Sequence, residues 1–190
     1  MMCRTEHPRR SLPPERRCAE QEAKSYRGDR SMAKRPSNDT PELRTVRAAG
    51  RWKGKYRTDV DVRDFSFVVS EPPKVGGMDE APTPMEYVAG ALNGCFGVTI
   101  EMVAGEQEFA LDGLDVRCEG VVDHRGLFGT ADVSPHFQTV RVDVTLFTVE
   151  PEDRLPALEK EVLVRCPVYN LIRDSGADID VMWTIRDGTA

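Results

Sequence analysis

The chain has 190 residues, 39% of them apolar and 31% charged, with a formal net charge of −6, which reads as one ordinary globular domain plus an appendage. Residues 1–47 hold 12 Lys and Arg against 7 Asp and Glu, whereas residues 48–190 hold 14 against 25. An acidic body argues against a nucleic-acid enzyme, whose phosphate contacts need a basic surface. Acids interspersed through the basic tail argue against a nucleic-acid or lipid-binding block there.

The longest stretch without a charge, residues 87–100, has 14 residues, too short to span a bilayer and the length of a buried helix. No membrane partner is expected. No signal sequence stands at the N-terminus, so the expected location is cytoplasmic, in a reducing compartment.

Residues 1–42 carry five prolines, many charges and only Leu12 among leucines. Such a segment cannot bury enough apolar surface to offset its ordering entropy, so a disordered basic tail is expected, followed by a domain over 43–190. Residues 45–56 read as a strand pair turning at 52–55. Apolar alternation then runs in two phases, Val60/Val62 and Phe65/Phe67/Val69, with a turn or bulge near Arg63-Asp64. Residues 71–82 form a Pro- and Gly-rich loop.

The clearest helix signal comes next. Thr83-Pro84-Met85-Glu86 is a capping box with proline at the first helical position. The stripe Met85, Val88, Leu92, Cys95, Thr99, Met102 has helical spacing, and a helix so apolar is expected to be buried on most sides. Gly90, Gly94 and Gly97 each cost roughly 1 kcal/mol against alanine in a helix interior, which makes sense where another backbone or a substrate approaches closely. Strands follow over 114–122 and 139–149. A helix after Pro151 carries Leu155, Leu158 and Val162, and a shorter one over 167–174 closes at Ser175-Gly176. The last strand sets Ile179, Val181, Trp183 and Ile185 on one face. Strands, helix, strands, helix pair and strand make an α+β fold rather than an alternating parallel one.

Three of the five cysteines lie in the domain. Cys95 reads either as a small core residue or as a reactive thiol among glycines. Cys166 precedes Pro167 at the expected N-cap of the last short helix, where the helix dipole favours a thiolate and Arg165 stands beside it. A plain helix joint is the competing reading. Cys118 shares a strand face with Leu114 and Val116 and reads as structural; Cys3 and Cys18 receive no assignment. The sequence has no Cys-x-x-Cys, no His-x-x-x-His and no Gly-x-Ser-x-Gly, Walker or dinucleotide fingerprint. No metal and no cofactor is therefore expected. Two cysteines on two helices point to redox chemistry.

Residues 82–95, Pro-Thr-Pro-Met-Glu-Tyr-Val-Ala-Gly-Ala-Leu-Asn-Gly-Cys, resemble the first cysteine helix of the OsmC/Ohr family, and Cys166-Pro167-Val168-Tyr169-Asn170 resembles its second motif. The resemblance covers roughly residues 45–188. It implies an intertwined homodimer, with antiparallel sheets wrapped around central helices that carry the two cysteines. It implies a thiol peroxidase in which Cys95 attacks an organic hydroperoxide and becomes a sulfenic acid. Cys166 then condenses with it to a disulfide, and an external thiol or dithiol reductant restores the pair.

The resemblance also implies an arginine that favours the thiolate, held by an acid. Arg51 after Ala49-Gly50 matches that arginine, with Arg63 as competitor. Met85 stands where many members have glutamate, and Glu86 lies one residue on, turned by about 100° on a helix. That departure keeps a second function open, an OsmC-type fold that binds a small apolar or electrophilic ligand at the dimer interface without peroxidase activity. Phe65, Phe67, Phe96 and Tyr169 either line a pocket for bulky peroxides or belong to the core.

Overall fold

The computed structural model describes residues 40–188. The expected tail, with Cys3 and Cys18, lies outside the described residues except for 40–42, as do Thr189 and Ala190. The elements run β1 (Ala49–Gly54), β2 (Arg57–Val62), β3 (Phe65–Val69), α1 (Pro84–Glu106), β4 (Gly113–Val122), α2 (His124–Phe128), β5 (Phe137–Phe147), α3 (Leu155–Arg165), α4 (Pro167–Asp174) and β6 (Asp178–Arg186). The mixed α+β order matches the sequence expectation.

The strands form two three-stranded sheets, β1-β2-β3 and β4-β5-β6. The first is antiparallel throughout. The second departs from the expected antiparallel sheets, because β5 and β6 run parallel. The helix pair α3–α4 carries the chain back along the sheet before β6 begins, as a parallel neighbour requires.

The first hairpin turns later than expected. β1 pairs with β2 from Ala49↔Asp61 to Gly54↔Arg57, and the turn lies at Lys55-Tyr56, both with positive φ. A two-residue hairpin loop favours left-handed residues because they match the strand twist, but Lys and Tyr do not advertise that conformation. The turn at Arg63-Asp64 falls where the two-phase alternation puts it, with Arg63 left-handed. Cross-strand partners Val60↔Phe67 and Val62↔Phe65 share one face. That face stays open, with Trp52 77% and Phe65 65% exposed. Tyr87 on α1 ties β3 to the body, its hydroxyl donating to the Val68 carbonyl at 2.6 Å and its ring 4.9 Å from that of Phe67.

α1 starts where its capping box puts it. Glu86 N–H donates to Thr83 Oγ1 and Thr83 N–H donates to Glu86 Oε2, satisfying two otherwise orphaned amides. The buried face carries Leu92, Phe96, Thr99, Ile100, Val103 and Ala104, rather than the whole expected stripe. Val88 is 36% exposed and Met85 only half-buried. The helix is apolar nearly all round, so its periodicity does not say which side faces the core.

α1 is also less covered than expected, since a third of its apolar window is buried. By length and composition alone this 23-residue helix would cross a membrane, but its buried face packs into the core. Gly90, Gly94 and Gly97 face open space among the described residues.

That core lies between α1 and the second sheet. Val140, Val142, Val144 and Leu146 of the central strand β5 meet Leu92, Phe96, Ile100 and Val103, with Leu158 and Val162 of α3 closing the layer. Each fully buried side chain of this size stabilises by about 1.5–3 kcal/mol relative to exposure. Outward positions of the same strands, such as Arg141 and Asp143, pair with each other in solvent. Arg154 fastens the far end of α1, donating to the carbonyls of Gln107 and Glu108 while paired with Glu150.

Candidate functional site

Cys95 and Cys166 meet. Their sulfurs are 3.2 Å apart and both are free thiols. Cys95 reaches the contact from the middle of α1 and is partly exposed, while Cys166 is fully buried. Cys166 is both the C-cap of α3 and the N-cap of α4, with φ −72° and ψ 109°. Pro167 dictates this conformation, because a residue before proline is pushed out of the helical region. The break aims the Cys166 side chain at α1.

The expectation of an acidic Cys166 thiol is reversed. Burial pushes it up to about 11; the Tyr169 amide and the Thr99 hydroxyl work against the rise and the Cys95 sulfur adds to it. The amide turns toward the sulfur without completing a cap bond. Desolvation of a charged sulfur outweighs the dipole of a helix only 8 residues long. Arg165 gives no help, since its guanidinium forms a bidentate pair with Glu106 at the end of α1. Cys166 is therefore held as a neutral thiol, and Cys95 is the sulfur with access to solvent.

Two neighbours were not singled out from sequence. Thr99, 3% exposed, donates its hydroxyl to the Cys95 carbonyl at 2.8 Å and lies against the Cys166 sulfur. A threonine four residues after a cysteine on one helix face was the available signal. Asn170 donates its side-chain amide to the carbonyls of Leu163, Val164 and Cys166 at 3.0, 3.2 and 2.8 Å. Pro167 is the sequence clue there, because its missing N–H leaves the Leu163 carbonyl without its helical donor.

The other expected site residues lie elsewhere. Arg51 sits on the polar face of the first sheet, paired with Asp61, and no contact between it and either thiol is found among the described residues. Arg63 stands over the Phe65 ring, 5.1 Å from its centroid. Glu86 serves the capping box instead of an arginine, and those hydrogen bonds hold its carboxyl below the usual range. One residue of helical rotation explains the difference. Cys118 lies half-buried on the inner face of β4, its thiol pushed up by burial.

Of the four aromatic candidates, Phe96 is core. Phe65 is exposed and Phe67 partly so, and Tyr169 packs edge-on against Phe96 at 6.1 Å. Among the described residues no group of His, Cys, Asp and Glu is arranged to hold a metal. Two surface depressions, of about 340 and 350 Å³, are lined by residues around Trp183 and around Arg141 and do not reach either thiol.

The OsmC-like protein family matches residues 77–182 of the chain. No curated protein matches it significantly. Among solved structures, an OsmC like protein from Mycoplasma pneumoniae aligns with a TM-score of 0.64 at 11% identity, covering 76% of this chain and 97% of that one. An organic hydroperoxide resistance protein from Legionella pneumophila aligns at 0.57 and 22% identity, covering 76% and 98%. An OsmC-like protein of unknown function from Vibrio cholerae aligns at 0.59 and 14% identity, covering 76% and 100%. At these identities the likeness establishes the fold.

Proposed function

The chain belongs to the OsmC-like protein family, and from that membership we propose that it is a thiol-dependent peroxidase that reduces organic hydroperoxides to alcohols. The observation that carries this reading is the contact of a partly exposed Cys95 with a buried Cys166 at 3.2 Å. A disulfide needs about 2.05 Å between sulfurs, so a small shift at the helix joint closes the bond.

The Cys95 thiolate attacks the outer oxygen of the hydroperoxide, the O–O bond breaks, and the alkoxide takes a proton and leaves as alcohol. Cys95 is left as a sulfenic acid. The Cys166 sulfur then attacks that sulfur, its proton joins the departing hydroxyl as water, and the Cys95–Cys166 disulfide forms. An external thiol or dithiol supplies the two electrons that restore both thiols, so the reading carries a reducing, cytoplasmic location with it. Some proteins of like fold are named organic hydroperoxide resistance proteins, which agrees with this substrate class.

The proposal includes a homodimer. Trp52 and Phe65 give the first sheet an uncovered apolar face, and Gly90, Gly94 and Gly97 leave room along α1 for a second backbone. A second copy covers both. Arg51 remains the proposed cation for the Cys95 thiolate, brought to it by assembly of two copies.

One observation favours the second reading, a ligand-binding protein without turnover. Glu86 is committed to its cap and Met85 stands at the usual acid position, so no carboxylate on the first turns of α1 is free to hold an arginine.

The test is steady-state consumption of cumene hydroperoxide and hydrogen peroxide with a dithiol reductant. Rapid loss of the organic peroxide, abolished in Cys95→Ser and stalled in Cys166→Ser, supports the peroxidase. Saturable ligand binding with no turnover by folded, reduced protein would leave the second reading.

A further inference from the structure

The joint that carries Cys166 has an unusual hydrogen-bond deficit. Pro167 has no N–H to offer the Leu163 carbonyl, and the break at Cys166 removes the ordinary donor from Val164. The joint is partly buried, with Cys166 enclosed and Val164 exposed, and a carbonyl left unmet where water is excluded costs stability. Asn170, one turn into α4, meets the deficit. Its side-chain amide donates to Leu163, Val164 and Cys166 carbonyls, and its backbone N–H also donates to the Cys166 carbonyl at 3.1 Å. Two side-chain hydrogens serve three acceptors, so one is shared. The carbonyls of α3 and the backbone of Cys166 are thereby tied to one side chain.

The consequence falls on the sulfur. Cys166 is fully buried, and its neighbour Pro167 allows little backbone adjustment. The rotation of α4 against α3 then decides how far its sulfur lies from Cys95. Resting on the peroxidase reading above, we propose that Asn170 is a positioning residue for the second chemical step. It holds the resolving thiol against Cys95 so that the sulfenic acid is captured as a disulfide before a second hydroperoxide oxidises it further.

The step is Cys95–S–OH plus H–S–Cys166 giving the disulfide and water, in competition with a second hydroperoxide that converts the sulfenic acid to the irreversible sulfinic acid. Misplacing reacting atoms by about 1 Å costs on the order of a hundredfold in rate, so the partition between the two fates is a sensitive reporter of the joint.

The experiment uses the full chain, reduced, as wild type, Asn170→Leu and Asn170→Asp. Each is mixed with one equivalent and with excess cumene hydroperoxide and quenched in time. Peroxide loss, dimedone-trapped sulfenic acid, disulfide and sulfinic acid are read by mass spectrometry. Asn170→Leu is expected to consume the first equivalent at the wild-type rate, to form disulfide at least about tenfold more slowly, and to accumulate sulfinic acid.

Asn170→Asp at neutral pH sets a carboxylate against three carbonyls and is expected to be slow. As pH falls and the carboxyl gains a proton it can donate, its rate relative to wild type is expected to rise. A disulfide rate in Asn170→Leu equal to wild type overturns the proposal. So does equal slowing of both steps, which marks general damage. Should the Leu variant not fold, a pH-independent ratio in the Asp variant overturns it instead. If wild type consumes no hydroperoxide, the peroxidase reading fails separately. The same variants are then compared with diamide, which closes neighbouring thiols through the same Cys166 attack, and an unchanged rate again overturns the role of Asn170.

Discussion

The two sheets of this protein are equal in strand number and opposite in circumstance. In the second sheet the alternation of β5 meets a core in its own chain, and Val142, Val144 and Leu146 are buried almost completely. In the first sheet the same kind of alternation lines up Trp52, Val60, Phe65 and Phe67 on one face, and that face meets little beyond Tyr87. An apolar face that the described residues leave open is informative because folding alone gives no reason to keep it. The comparison assigns the second sheet to stability of the chain, and under the proposed dimer the first sheet serves assembly.

Substitution at the covered side has the largest expected effect. Phe96→Ala removes a fully buried ring and should cost about 3–5 kcal/mol in denaturant unfolding. Trp52→Ala should leave the unfolding of dilute protein near wild type and instead shift sedimentation from dimer to monomer. Equal losses of stability from both variants in dilute protein would break the distinction.

Gly94→Leu sharpens it further. The described residues leave open space there, so an isolated protomer should gain about 1 kcal/mol from helix propensity. A dimer packed on that face should instead be weakened by about 1–3 kcal/mol of overpacking, read as a higher dissociation constant. Tyr87→Phe removes the hydroxyl that ties β3 to α1 and should cost about 1 kcal/mol, with faster hydrogen exchange confined to β1–β3.

The last prediction concerns pH. The Cys166 thiol has an ordinary value of 9.0, raised to about 11 in the fold by burial. The folded state thus holds this proton more tightly than the unfolded one. The resulting stability is fully present below about pH 9 and is lost as pH rises toward 11. Melting temperature measured through that window should fall less in Cys166→Ala than in wild type.

Much of the covered half was legible in the sequence because local signals there agree with packing. Thr83 and Glu86 fixed the start of α1, strict alternation fixed β5, and Pro167 with Ser175-Gly176 bounded α4. Two cysteines on two helices hinted at redox chemistry, but the roles of the pair came only with the family resemblance, since periodicity alone allows Cys95 to be core.

What stayed hidden has physical causes. The hairpin turn at Lys55-Tyr56 uses left-handed residues that are neither Gly nor Asn. α1 is apolar on too many sides for its core face to be read. The dipole argument for Cys166 was sound in sign but too small, because burial is a property of the assembled core and not of the motif. Asn170 was in view as part of the second motif, and its role emerges only once the orphaned Leu163 and Val164 carbonyls are counted.

The most direct test of the central claim is a single turnover read by peptide mapping. Reduced protein is given one equivalent of cumene hydroperoxide, quenched with an alkylating reagent and digested. The account predicts one new disulfide, between Cys95 and Cys166, with Cys118 recovered as an alkylated thiol. Recovery of both Cys95 and Cys166 as alkylated thiols, with the hydroperoxide unconsumed, would contradict it.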